Sequence, residues 1–292
     1  MVLQQRREPC PHWEYCDPSG SEVLRLVPER GGLVIGWRSL GREWLYFDAE
    51  RFADPALSVR GGIPVLFPIC GGLPDDQLPL PQGVFTLAQH GFARDRPWTL
   101  APLAEGDGVR LDLTHDDDTL AAFPFRFRLS LEYRLAPGEL GITAHVHNEG
   151  PDPMPFSFGL HPYWAVADLA AARLEGLPEA CFDHHTMAPA NTAAQLRGLT
   201  TGVDLLARPD GAVRLGAVRL VDTAAGGAKV TLEPSHPLDL VVVWTDPPRS
   251  MVCLEPWSGP RQSLISGDRR LEVDPAGCCS LRCRYRVSLP AG

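Results

Sequence analysis

Two distant segments each set one ionisable side chain at the end of an apolar run: Phe158-Gly-Leu-His161-Pro-Tyr-Trp164 and Val252-Cys-Leu-Glu255-Pro-Trp257. In the second, strand alternation puts Val252 and Leu254 on one face and Cys253 and Glu255 on the other. The proline that follows holds Glu255 extended. A carboxylate ending an apolar strand costs desolvation energy unless something pairs with it, so either a structural salt bridge or a functional role accounts for it. His161 ends its own apolar run in the same way. A histidine and a glutamate together can give one proton and take another, which is general acid–base chemistry. Tyr163, Trp164 and Trp257 add flat apolar faces suited to the C–H side of a pyranose, or to a core.

Two further segments carry cations. Arg60-Gly-Gly-Ile-Pro-Val-Leu-Phe-Pro68 sets an arginine beside two glycines that let the backbone bend towards a ligand. Gln89-His-Gly-Phe-Ala-Arg94 flanks a glycine and an aromatic with His90 and Arg94. The histidine can donate to a hydroxyl, and the guanidinium offers a planar fork of donors to hydroxyls or phosphate. Each segment alone reads equally well as a turn with a surface charge.

Metal chemistry finds less support. The eight cysteines include Cys278, Cys279 and Cys283, but there is no Cys-x2-Cys pair and no nearby histidine to complete a zinc pattern. They read as reduced residues packed in strands. His145-x-His147 shares one strand face without a third ligand. The glycine pairs starting at Gly71 and Gly226 lack the Lys-Ser/Thr sequel of a phosphate loop. Residues 116–118 and 184–185 read as solvated loops. No metal and no organic cofactor is expected.

The elements that must position these groups are strands. Glycine (28) and proline (29) make up about a fifth of the 292 residues, which favours short strands and many turns. Alternating or β-branched runs recur at 22–27, 32–38, 43–47, 109–114, 125–135, 140–147 and 155–160. They continue at 212–221, 228–232, 238–245, 251–255 and 280–289. In 125–135, Phe125, Phe127, Leu129, Leu131 and Tyr133 share one face against Arg126, Arg128, Ser130, Glu132 and Arg134, as in a sheet with one side in solvent. Residues 118–122 suit one helical turn, and 71–89 reads as a loop-rich insertion. No repeat or linker divides the chain, so a single all-β domain spanning 1–292 is expected, with its core at about 22–287.

A net charge of −9 argues against nucleic acid as a partner. The first twenty residues lack an apolar signal-type stretch and no run approaches ~18 apolar residues, so a soluble, cytoplasmic protein without membrane contact is expected.

Taken in order, Arg60-Gly-Gly-Ile-Pro with Phe-Pro68, His90-Gly-Phe-Ala-Arg-Asp95, His161-Pro-Tyr and Cys253-Leu-Glu-Pro-Trp resemble the aldose 1-epimerase (galactose mutarotase-like) superfamily, including its hexose-6-phosphate 1-epimerase branch. The resemblance runs from about residue 22 to 287. It implies a β-supersandwich of two large, mostly antiparallel sheets with few short helices. By motif, His161 matches the general acid, Glu255 the general base and His90 a second, substrate-binding histidine. Arg60 and Arg94 match arginines that hold the sugar or its phosphate. Trp257 is expected against the substrate, and Asp204, in Thr-Gly-Val-Asp-Leu-Leu, resembles a substrate-contacting aspartate.

The implied reaction interconverts the α and β anomers of an aldohexose by ring opening and closure. Glu255 as carboxylate takes the C1 hydroxyl proton and His161 as imidazolium protonates the ring oxygen. A neutral aldohexose is expected ahead of a hexose 6-phosphate, because a phosphate would enter against the net charge and no lysine-rich segment accompanies the arginines. Two other classes stay open. One is a non-catalytic carbohydrate-binding protein, which needs no matched acid and base. The other is a glycan hydrolase or lyase using Glu255 and Asp204. The expected partner is a small-molecule sugar or sugar phosphate, met by a monomer or weak homodimer.

Overall fold

Phe127–Ala136 shows how this chain makes a sheet. Its alternation buries Phe127, Leu129, Leu131 and Tyr133 and leaves Arg128, Glu132 and Arg134 half-buried on the opposite face. It pairs antiparallel with Gly108–Thr114 on one side and Glu139–Asn148 on the other. The tight return from Ala136 to Glu139 has Gly138 at φ +70°, a conformation glycine adopts without strain. Glu139–Asn148 then takes Cys278–Ser288 as its other neighbour, so the last strand of the chain closes into the middle of the sheet. A computed structural model gives this architecture for residues 2–209 and 215–290.

Two eight-stranded sheets dominate among the described residues, with a five-stranded sheet running from Val2–Arg6 to Arg42–Glu43 and two two-stranded ladders. The first large sheet runs from Ala172–Glu175 at one edge to Thr99–Pro102 at the other. The second has Leu240–Trp244 and Met251–Trp257 in its middle, flanked by Asp204–Ala207 on one side and Gly159–Leu160 on the other. Strand pairing is antiparallel throughout these sheets, and among the described residues the α-helices are four short ones. A continuous apolar core reaches from Tyr15 to Val287 and includes Trp37, Phe67, Phe127, Phe156, Trp164 and Tyr285. Each fully buried phenylalanine among them contributes about 1.5–3 kcal/mol. No helix among the described residues is long and apolar enough to cross a membrane.

The all-β reading holds, with local differences. The run expected at 155–160 is two strands: Met154–Phe156 pairs with Leu271–Val273, whereas Gly159–Leu160 joins the second large sheet. At 43–47 only Arg42–Glu43 forms a ladder, and Leu45 and Phe47 make single bridges. Of the 212–221 run, the strand is Val218–Asp222, and residues 212–214 lie outside the described residues. The stretch 71–89 is more than loop: Gln77–Leu80 and Gly83–Thr86 form a hairpin that buries Leu78. Prolines at 79 and 81 hid its alternation. Paired strands also begin ahead of residue 22, at Val2–Arg6 and His12–Cys16. The four-residue strands Ala172–Glu175, Ala180–Asp183 and Ala188–Asn191 are too short and too rich in alanine to show a period.

Candidate active site

The Met251–Trp257 strand is buried along its whole length. Its pleat sends Val252 and Leu254 into the main core and turns Cys253, Glu255 and Trp257 the other way. Two short strands pair with it in succession: Gly159 faces Trp257, and Tyr163 faces Cys253. Stepping two residues inward from each pair puts His161 opposite Glu255. The two groups, 94 positions apart in sequence, thereby meet with His161 Nε2 at 3.4 Å from Glu255 Oε1.

Neighbouring rings hold the pair in place. Tyr163 stacks on the His161 imidazole at 4.8 Å and 17°, and Trp244 meets its edge at 5.5 Å. Trp257 Nε1–H donates to Glu255 Oε2 at 3.0 Å. Glu255 Oε1 and His161 Nδ1 are buried without a hydrogen-bond partner. Unpaired buried polar atoms are costly, so these two are suited to pairing with a bound polar group. Burial pushes the His161 imidazole down to about 3 and the Glu255 carboxyl well up, the latter reinforced by the nearby Asp204 charge. Burial thus favours the neutral forms of both groups. The imidazolium–carboxylate form expected from residue types requires moving a proton from Glu255 to His161.

His90 sits in a left-handed turn at φ +70°. Its Nδ1 accepts from the Gly71 amide at 3.0 Å, which leaves the proton of the neutral ring on Nε2. Burial, then the neighbouring His161, depress its basicity further. Its ring meets His161 and Trp257 edge-on at 5.8 and 5.7 Å.

The cations stand around this floor. Arg60 Nε–H donates to Asp246 at 3.0 Å, and its guanidinium lies over Trp244 at 5.5 Å. Arg94 donates to the Gln89 carbonyl at 2.9 Å, and its nearest carboxylate, the exposed Asp95, is 3.7 Å away. Arg261 donates to Asp204 at 2.7 Å. Asp204 also accepts from His184 Nδ1–H at 2.7 Å. Burial alone would raise the Asp204 carboxyl, but the His184 hydrogen bond and Arg261 hold it down as an anion.

All seven residues singled out from sequence, His161, Glu255, Arg60, His90, Arg94, Asp204 and Trp257, therefore line one cleft of about 310 Å³, a size within the ordinary range for small-molecule sites. A larger hollow of about 820 Å³ lies on the outer face of the first large sheet, among residues such as Glu132, Arg134, Glu139 and Arg284. Among its described lining residues no buried polar atom lacks a partner, so the smaller cleft is the candidate site.

Four details escaped sequence reasoning. Arg261 and Trp244 line the cleft and were not singled out. The only local signal for Arg261 was a charge just after the Ser-Gly-Pro turn that follows Trp257. His184, read as part of a solvated loop, is buried and stacks on Trp257 at 5.9 Å and 25°. Trp164 does not flank the cleft: alternation turns it into the core, where it packs on Tyr285 at 4.7 Å. Trp257 is itself nearly inaccessible, so the half-buried aromatic beside the opening is Trp244. As possible metal donors, His161, Cys253 and Glu255 bring one ligand atom each within 4.8 Å of one another.

A profile of the family described as aldose 1-epimerase matches residues 18–266. Two relatives bear the name "Putative glucose-6-phosphate 1-epimerase". That of Cenchrus ciliaris is 32% identical over 181 residues, covering 55% of this chain and 52% of the relative. That of Escherichia coli K12 is 30% identical over 158 residues, covering 53% and 49%. The chain thus matches about half the length of these curated relatives. Among solved structures, a protein of Synechocystis sp. PCC 6803 is 39% identical with a TM-score of 0.88, covering 95% of both chains. A galactose mutarotase related enzyme from Lactobacillus acidophilus is 18% identical with a TM-score of 0.75, covering 94% of this chain and 97% of the other, a likeness of fold alone.

Proposed function

The chain belongs to the aldose 1-epimerase family, and on that premise we propose that it interconverts the α and β anomers of a hexose 6-phosphate. The observation that carries the substrate class is the meeting of Arg60, Arg94 and Arg261 around one small cleft whose floor is the His161–Glu255 pair. Guanidinium groups are suited to a phosphate as planar, two-pronged donors. This reverses the order of substrates expected from sequence, where no motif singles out Arg261. The names borne by the curated relatives agree with it.

The chemistry needs one proton delivered to the ring oxygen and one removed from the C1 hydroxyl. In the neutral pair a single proton resides on Glu255. Moving it to His161 creates the imidazolium and the carboxylate, and a sugar hydroxyl placed against Glu255 Oε1 would replace the missing partner of that oxygen. His161 then protonates the ring oxygen while Glu255 takes the C1 hydroxyl proton. The ring C–O bond breaks, its electron pair going to the protonated oxygen, and C1 becomes an aldehyde. Rotation about C1–C2 and reversal of both transfers close the ring on the other face and restore the original proton count. Acid–base help of this kind contributes typically ~10²–10⁴-fold. His90 Nε2–H is a further donor for the oxygen that gains charge.

A neutral aldohexose is the second reading. It is favoured by the fact that Arg60 and Arg261 already have Asp246 and Asp204 as partners. Magnetisation-exchange NMR on glucose, galactose and glucose 6-phosphate separates the two. We expect glucose 6-phosphate to be favoured in kcat/KM by ~100-fold, about 2.7 kcal/mol of transition-state stabilisation. Equal or better turnover of the free sugars moves the assignment to the neutral substrate, and no acceleration over buffer for any hexose removes the enzymatic reading.

A further inference from the structure

Cys253 stands beside the acid–base pair, and the proposed reaction leaves it idle. It is fully buried, and its one hydrogen-bond partner among the described residues is the Met251 thioether at 3.9 Å. It precedes Glu255 by two positions on one strand, so both side chains leave the same face. Donor atoms of His161, Cys253 and Glu255 lie within 4.8 Å of one another, and His161 Nε2 and Glu255 Oε1 are 3.4 Å apart. The Oε1 atom is buried without a hydrogen-bond partner, while Trp257 occupies the other oxygen.

A thiolate, an imidazole and a carboxylate form a three-donor set of the kind that leaves zinc one open position. Metal–ligand lengths of ~2.0–2.3 Å put such donors roughly 3.3–3.7 Å apart, so the widest edge here needs to close by at most about 1.5 Å. Sulfur and nitrogen donors select against magnesium and calcium. We propose that His161, Cys253 and Glu255 form an inhibitory site for a thiophilic divalent cation of the zinc class, which excludes the sugar by occupying the proton-transferring pair. Only the word inhibitory rests on the function proposed above.

Binding breaks the Cys253 S–H bond and releases that proton to solvent, along with the Glu255 carboxyl proton when present. A dication with one thiolate and one carboxylate sums to zero charge, which limits the cost of seating it in a buried wall. The three cleft arginines oppose a cation, but Asp246 and Asp204 lie against two of them.

The test is a titration of the metal-free full chain with Cd²⁺, reading the ultraviolet thiolate-to-metal charge-transfer band and the protons released. It uses a Cys278→Ser background, because Cys278 is an exposed thiol 3.6 Å from His147. We expect one equivalent of band, no response to Mg²⁺, and loss of the band in both Cys253→Ser and Cys253→Ala. We also expect Zn²⁺ to inhibit anomer exchange competitively with sugar, and about tenfold or more weakly in the Cys253 variants, while their uninhibited rate stays near wild type. A full band in the Cys253 variants, no band in the parent, or fast exchange at saturating Zn²⁺ overturns the proposal. A Cys253-dependent band in a protein with no exchange activity leaves the metal site standing and removes the epimerase reading instead.

Discussion

His161 stands opposite Glu255 because Gly159 and Tyr163, on either side of it, both pair with the strand that carries Glu255. The 3.4 Å approach of the two side chains is thus a consequence of sheet register. Shifting a register by one residue turns a strand's side chains to the opposite face, so the pair is as secure as the ladder that holds it.

Glu255→Gln keeps the side-chain shape, His161→Asn keeps a polar amide in place of the ring, and both remove the transferable protons. Each is expected to slow anomer exchange by ~10²-fold or more with the circular dichroism spectrum unchanged. Because the two act as a unit, the double variant should be little slower than the slower single one. Exchange near the wild-type rate in either purified variant overturns the assignment.

Burial sets the pH behaviour of the pair. His161 is pushed down to about 3, so its folded form resists protonation and the stability it carries is lost as pH falls from ~6.5 towards that value. Glu255 is shifted the other way: its contribution is present below ~4.3 and is lost as pH rises through its elevated folded value. Glu255→Gln should therefore raise the melting temperature relative to wild type at pH 8, with a smaller difference at pH 4. Exchange by the wild type should show no step near pH 6.5, where an exposed histidine titrates. A melting-temperature difference that does not change with pH would show that Glu255 is not held protonated.

Asp204 anchors Arg261 and His184 at once, each at 2.7 Å. Asp204→Asn should free the guanidinium and raise KM for glucose 6-phosphate by ~10-fold or more, the scale of a charged hydrogen bond, with kcat changed little. A fall in kcat at constant KM would place Asp204 in the chemical step instead.

Arg94 is the arginine of the cleft with the weakest carboxylate contact, 3.7 Å to an exposed Asp95. Arg94→Ala should lower kcat/KM for glucose 6-phosphate by ~10-fold or more and leave glucose nearly unaffected. For the wild type, kcat/KM on the phosphorylated sugar should fall as salt is added, since screening weakens attraction between exposed charges. Salt-independent rates on both sugars would support the neutral substrate.

Gly91 follows His90 in the turn at φ +70°, and a Cβ there would stand 2.2 Å from the Phe67 carbonyl oxygen. Gly91→Ala should cost about 1–3 kcal/mol from the left-handed backbone alone, with the clash in addition, and should displace His90. Denaturant midpoints read the first effect and KM the second. An unchanged midpoint would mean that the turn relaxes freely.

What the sequence by itself determined is local. Two-residue alternation over 125–135 and 140–147 identified most of Phe127–Ala136 and Glu139–Asn148, because a strand with one buried face must write that period into its side chains. It also put Cys253 and Glu255 on a common face, and the motifs named seven of the residues that line the cleft. Only the tertiary structure decided which groups meet and in what form. Arg261 reaches Asp204 across 57 positions through a turn that has no period. His184 looked solvated until Trp257 covered it. The protonation of His161 and Glu255 followed the same rule. Residue type supplies an acid and a base, but the charge each carries depends on desolvation, and that is set by the distant strands that close over them.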